Sequence, residues 1–317
     1  SALGGRNFEY FSEDPILAGT IATGYINGVQ SQGVGTSMKH FAANSQETER
    51  MSNSSNVDER TLNEIYFPAF EMAVKNAQPW TVMCSYNRLN GVYASESPYL
   101  LNDVLKKQWG FKGFVVSDWG AVNERAAGVD AGLGLEMPAS GGFNDKKIVD
   151  AVKKGTLSEA RLNEIVIDVL AVTLKAKDSH KKGIVVDKIK HNELARQVSS
   201  ECIVLLKNDN AILPLKSSLK KIAIVGDFGK NPRYQGAGSS QVRPTQILNA
   251  LTELQKLAKG TQFSFSAGYN TEGETNDAQI AEAVQNAKNA ELVIVFAGLP
   301  DSYESEGYDR NNLDMPA

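Results

Sequence analysis

Gly113-Phe114-Val115-Val116-Ser117-Asp118-Trp119-Gly120 is an apolar run of strand length that ends abruptly in an acid and an aromatic. Strands exposed on one face alternate apolar and polar residues, whereas strands of a parallel sheet, covered on both faces, are continuously apolar. Phe114-Val115-Val116 belongs to the second kind. Working outward, helical and strand patterns take turns. Asp14-Pro15 opens a helix through Gln30, with proline in its first turn and Gly33 just past its end. Thr36 to Phe41 is a short strand. Asp58 caps a long helix in which Leu62, Ile65, Tyr66, Phe70 and Val74 recur at helical spacing. Trp80 to Tyr86 is a strand, and Ser97-Pro98 opens a helix ending near Gly110. Two more helices follow, around Asp145–Lys154 and Ser158–Lys177.

Alternation of this kind builds βα units on a parallel sheet. Polar residues stand directly after the apolar runs: Lys39-His40, Ser85-Tyr86-Asn87-Arg88 and Asp118-Trp119. Parallel barrels assemble their active sites at the C-terminal ends of successive strands, so this recurrence predicts a barrel with its chemistry at that end. The polar stretch Asp178–Asn192 breaks the pattern and is expected to be a linker. The alternation then restarts: a helix near Glu193–Ser200, strands at Ile203–Lys207, Lys221–Val225, Gln262–Ser266 and Leu292–Ala297, and helices at Thr245–Leu257 and Ala278–Ala290. The expected architecture is α/β: a partial (β/α)8 TIM-type barrel over 1–178, a linker over 179–192, and a partial α/β sandwich domain over 193–317.

Bulk properties narrow the chemistry. The chain has 317 residues, enough for two domains. A net charge of −4 provides no basic field for nucleic acid or an anionic membrane. No apolar stretch approaches the roughly 18–20 residues of a membrane-spanning helix. That charge balance fits a small polar substrate or another protein better. Two cysteines, Cys84 and Cys202, lie in apolar runs and are expected to be buried free thiols. The three histidines, His40, His180 and His191, show no metal-ligand spacing, so neither a metal nor another cofactor is expected. The glycine-rich stretches Val225–Lys230 and Gly236–Ser240 both lack the third glycine of a dinucleotide fingerprint, and Lys230 is not followed by Ser or Thr.

Asp118 is the central candidate. A carboxylate at a barrel mouth beside an indole suits a sugar: the ring stacks on Trp119 while the carboxylate attacks the anomeric carbon. The competing reading is that Asp118 caps a helix starting at Ala121. Lys39 and His40 can both donate hydrogen bonds to hydroxyls, although a single histidine is equally at home as a structural group. If Asp118 is a nucleophile, a second carboxylate must protonate the leaving oxygen. The acidic segment Glu304-Ser305-Glu306-Gly307-Tyr308-Asp309-Arg310 leaves the end of an apolar strand and could supply it across the domain interface, though such a run is also what a solvated loop looks like.

Together these segments resemble glycoside hydrolase family three, particularly its bacterial β-glucosidases. Gly5–Pro15 resembles the early barrel signature whose arginine, here Arg6, contacts the sugar. Lys39–Asn44 is similar to the stretch whose lysine and histidine hold sugar hydroxyls, and Ser85-Tyr86-Asn87 to the strand end whose tyrosine lies near the nucleophile. Gly113–Trp119 resembles the nucleophile motif, which implies Asp118 as nucleophile and Trp119 as a stacking wall. Val204–Asn208 with Leu213-Pro214-Leu215 resembles the entry to the second domain. Glu306–Pro316 is similar to the loop bearing the acid/base, with Glu306 as the better match and Glu304 as the fallback. The family's N-acetylglucosaminidase branch carries a second histidine after its Lys-His, absent here.

The resemblance therefore implies a retaining exo-β-glycosidase acting on a small-molecule or oligosaccharide substrate, a β-glucosidase first and a β-xylosidase or similar enzyme next. Gly134 stands where relatives commonly carry aspartate. The chain begins without methionine or a signal segment, and family members usually extend beyond both of its ends. It is therefore expected to be an internal fragment of unassigned localisation, with a homo-oligomer or a complementing chain left open as its protein partner. The rival from another class is a catalytically inactive carbohydrate-binding or scaffolding fragment.

Overall fold

In the computed structural model, which describes residues 2–316, contacts divide the chain into two units: Ser1–Lys181 with Glu306–Asn311, and Lys182–Ser305 with Asn312–Ala317. In the first, α1 (Pro15–Ser31) starts where the Asp14 carboxylate accepts the Ile16 and Leu17 N–H groups, and Pro15 gives up no helical hydrogen bond at that position. Strands β1 (Ser37–Phe41), β2 (Thr81–Cys84), β3 (Phe114–Ser117) and β4 (Leu133–Leu135) form one sheet in that order, every pair parallel. Sequential order with parallel neighbours is the winding of a (β/α) barrel, here a four-strand sector of one.

The connections carry the helices. A helical stretch, Glu59–Tyr66, precedes α2 (Pro68–Ala77), and α3 (Tyr99–Gln108) links β2 to β3. The single long helix expected after Asp58 is divided at Phe67. Pro68 has no N–H to give, and the Phe67 N–H reaches back five residues to the Leu62 carbonyl. After β3 come α4 (Arg125–Ala131), then, beyond β4, α5 (Phe143–Lys154) and α6 (Glu159–Ser179). The Ser158 hydroxyl caps α6.

The core lies between sheet and helices. Phe41, Phe67, Phe70 and Trp109 meet there at ring-centroid distances of 5.3–6.0 Å, over Leu100, Leu101, Leu105, Val82 and Val115. Phe70 is partly buried; each of the fully buried side chains contributes about 1.5–3 kcal/mol relative to exposure.

The second unit has a three-stranded parallel sheet, β5 (Lys221–Val225), β6 (Gln262–Ser266) and β7 (Leu292–Val295), with β5 in the centre. The helices are α7 (Lys188–Cys202), α8 (Ala250–Leu257) and α9 (Asp277–Lys288). Ile222, Ala223 and Ile224 of β5 are buried.

Two further expectations fail. Ile203–Lys207 forms no strand: no described strand pairs with it, and Leu206 is 91% exposed. Apolar composition permits a strand, but a strand forms only where a neighbour completes its ladder. Cys202, the last residue of α7, is exposed rather than buried, because α7 presents no buried face. Cys84 is buried as expected, and burial pushes its thiol up to about 12.

Candidate active site

Asp118 follows the last residue of β3, and its backbone N–H continues the sheet by donating to the Cys84 carbonyl at 3.2 Å. No helix starts at Ala121; α4 begins at Arg125, so Asp118 is not a helix cap. A tight turn takes the capping role's place. The Trp119 N–H donates to Asp118 Oδ1 at 2.8 Å, and the Ala121 N–H donates to the Asp118 carbonyl at 3.0 Å. The Ser117 hydroxyl and the Gly120 N–H both hold the Met137 carbonyl, at 3.2 and 3.0 Å, which fixes the turn from beneath. The other carboxylate oxygen, Oδ2, is buried and accepts no hydrogen bond.

That free oxygen lies 3.4 Å from His40 Nε2. His40 reaches it because β1 is irregular. Two residues, Lys39 and His40, separate Met38 from Phe41 where only Met83 separates their partners Val82 and Cys84, so one residue is extra. Such a bulge re-aims side chains, and both His40 and Phe41 are buried although they are consecutive. Burial, then the charges of Arg6, Lys39 and Arg50, pull the imidazole down to about 2, so it is neutral. Arg6 Nη2 stands 2.9 Å from His40 Nε2. A guanidinium can only donate, so Nε2 accepts and the ring proton sits on Nδ1.

The charges are arranged around these two residues. Arg6 pairs with Glu9, whose other oxygen is 3.3 Å from Lys39 Nζ. Arg6 also approaches Glu306 Oε1 at 3.8 Å and Glu47 Oε1 at 3.9 Å. Arg50 donates to Glu47 Oε2 at 2.7 Å and to Glu306 Oε2 at 3.1 Å, while its guanidinium lies 4.6 Å from the centre of the Tyr86 ring. The Tyr86 hydroxyl donates to the Trp119 carbonyl at 3.1 Å; burial and the Asp118 charge raise its pKa, so it remains a phenol. Trp119 presents its indole outward, 52% exposed.

All seven residues singled out in the sequence, Arg6, Lys39, His40, Tyr86, Asp118, Trp119 and Glu306, thus meet in one network in the first unit. Glu304 does not join it; its carboxylate is held by Arg233 at 2.9 Å in the second unit. Three members gave no usable signal in the sequence: Glu9, Glu47 and Arg50. Glu47 and Arg50 lie in a polar loop where charges resemble a solvated surface, yet Glu47 is 1% exposed. A cavity of about 510 Å³ adjoins the network, lined in part by Arg6, His40, Asn44 and Glu47. Among the described residues no cluster of histidine, cysteine or acid is suited to a metal ion, and no helix is long and apolar enough to cross a membrane.

Residues 2–172 match the glycosyl hydrolase family 3 N-terminal domain, and residues 203–317 match the glycosyl hydrolase family 3 C-terminal domain. The chain belongs to glycosyl hydrolase family 3. The whole chain is 54% identical to thermostable beta-glucosidase B of Acetivibrio thermocellus, of which it spans 42%. Over 99% of its length it is 49% identical to an exo-alpha-(1->6)-L-arabinopyranosidase of Bifidobacterium longum, again spanning 42% of that protein. Among solved structures, a family 3 beta-glucosidase of Bifidobacterium adolescentis matches the whole chain with a TM-score of 0.94 at 48% identity, and the chain covers 46% of it. The chain therefore spans less than half the length of these relatives.

Proposed function

We propose that this chain carries the catalytic residues of a retaining, exo-acting β-glucosidase. Asp118 attacks the anomeric carbon, and Glu306 protonates the departing oxygen. Glu306 then draws a proton from the water that releases the sugar with retained configuration. Arg6, Lys39 and His40 orient the sugar through hydrogen bonds, those of the two cations charge-assisted; Trp119 offers it an aromatic face.

The observation that carries this reading is the division of labour within the Asp118 carboxylate. Oδ1 is anchored by the Trp119 N–H, whereas Oδ2 is buried and free of hydrogen bonds. An anchored carboxylate with one unengaged oxygen is oriented without losing nucleophilicity at the other. The buried neutral His40 stands 3.4 Å from that oxygen without adding charge, and Tyr86, near the Asp118 carboxylate, stays an uncharged phenol. Glu306 is favoured over Glu304 because it shares Arg6 and Arg50 with this network, while Glu304 is engaged elsewhere.

The test is covalent trapping. Incubation with a 2-fluoro β-glucoside bearing a dinitrophenolate leaving group is expected to add one fluoroglucosyl group to the peptide containing Asp118, read by intact and peptide mass. Folded protein without that adduct, or with it on another residue, would overturn the assignment. The relatives' names make an aryl β-glucoside and an aryl α-L-arabinopyranoside the panel for substrate choice, and an aryl β-xyloside tests the alternative that the family resemblance left open.

A further inference from the structure

Glu306 comes from far along the sequence, and a reciprocal clasp holds its segment against the barrel residues. The Asp309 carboxylate accepts three backbone N–H groups: Gly5 at 3.1 Å, Glu47 at 3.0 Å and Thr48 at 2.9 Å. In return the Glu47 carboxylate accepts the Gly307 N–H at 3.0 Å, one residue beyond Glu306. Glu47 also takes Arg50 Nη1, and the same guanidinium reaches Glu306 through Nη2. The Arg310 N–H closes the arrangement on the Leu3 carbonyl at 2.8 Å. Each side thus supplies one carboxylate and receives backbone donors from the other.

We infer that Asp309 and Glu47 are positioning residues that set Glu306 for proton transfer. This rests on the reading of Glu306 as the acid/base. Asp309 is suited to the part because an ionised carboxylate offers only acceptors to three converging donors, which carboxamide cannot do: its NH₂ would face an N–H. Glu47 fixes both the backbone after Glu306 and the guanidinium paired with its side chain. Displacements of about 1 Å in a catalytic group cost on the order of 10²-fold in rate, so a clasp of this kind acts on chemistry rather than on sugar binding.

The experiment compares kcat/KM for dinitrophenyl β-glucoside, which departs without a proton, with that for an alkyl β-glucoside, which needs one. Glu306→Ala, the reference, should lose about 10²–10⁴-fold more on the alkyl substrate. Asp309→Asn and Glu47→Gln are expected to show the same leaning, by at least about tenfold, with KM for the dinitrophenyl substrate little changed. Equal losses on both substrates, with Glu306→Ala still selective, would reduce the clasp to a structural tie and overturn the inference alone. A Glu306→Ala variant with no leaving-group preference, or a wild-type chain that turns over neither substrate, would remove the acid/base reading and the inference with it. Should Asp309→Asn not fold, Glu47→Gln carries the same comparison, because it leaves the three bonds to Asp309 in place.

Discussion

His40 is 3% exposed and has Arg6 against one ring nitrogen, so protonating it would bury a second positive charge beside the first. Its neutral form and its Nδ1–H tautomer both follow. Long-range nitrogen–proton spectra of imidazole-labelled protein are expected to show His40 as one ring that stays neutral and Nδ1–H throughout pH 5–8. A His40 signal moving with a midpoint near 6.5 would contradict the packing described here. Asp118→Asn is expected to lower turnover on the order of 10⁴-fold or more with the fold intact, since the amide lacks the carboxylate's nucleophilicity; near-normal turnover in a homogeneous preparation would sink Asp118 as nucleophile. Side chains of this kind were legible in the sequence because they follow apolar strands at once. Arg50 and Glu47 were not. Their burial depends on residues more than 250 positions away, and no local spacing encodes such a contact.

At the scale of elements, the strands that bear the site were readable because each is a short apolar run with a polar end. β4 was not: Gly132-Leu133-Gly134-Leu135 has no strand composition. It forms because β3 supplies the ladder and because small residues let the layers close; a Cβ at Gly134 would stand 3.1 Å from both Phe114 Cβ and Val169 Cγ2. The bulge in β1 was equally invisible, since it shows only in the register against β2. Gly113 has a sharper role. A Cβ there would lie 2.0 Å from the Trp80 carbonyl oxygen, a backbone atom at the entry of β2. Gly113→Ala must therefore force β2 and β3 apart just before the strand that leads into Asp118. It is expected to destabilise the protein by at least about 2 kcal/mol, measured as a lowered urea midpoint. An unchanged midpoint would show that the entry of β3 yields without cost.

Across the whole molecule, two groups make stability fall with acid, and their windows differ. His40 is held near 2 in the folded state against about 6.5 unfolded, so below about 6.5 the unfolded chain binds the proton more readily. Its contribution is complete above about 6.5 and is lost as pH falls, with a slope of about 1.4 kcal/mol per pH unit for a single such group. Asp309 acts lower. Burial opposes its ionisation, but the backbone N–H groups of Thr48, Glu47 and Gly5 outweigh it and hold the carboxyl below its usual range. Its stabilisation is present above the unfolded value near 3.9 and disappears as pH drops through the folded one. Because its bonds join residues 5 and 47–48 to 309, losing them loosens both ends of the first unit together. Unfolding free energies measured by urea titration should then show a shallower slope between pH 6 and 4.5 for His40→Gln than for wild type. Asp309→Asn should leave that slope alone, lower stability at neutral pH, and remove part of the additional fall below about pH 4. Identical slopes for wild type and His40→Gln would mean that His40 is protonated within the folded protein, and the neutral tautomer that leaves Asp118 Oδ2 unengaged would have to be abandoned.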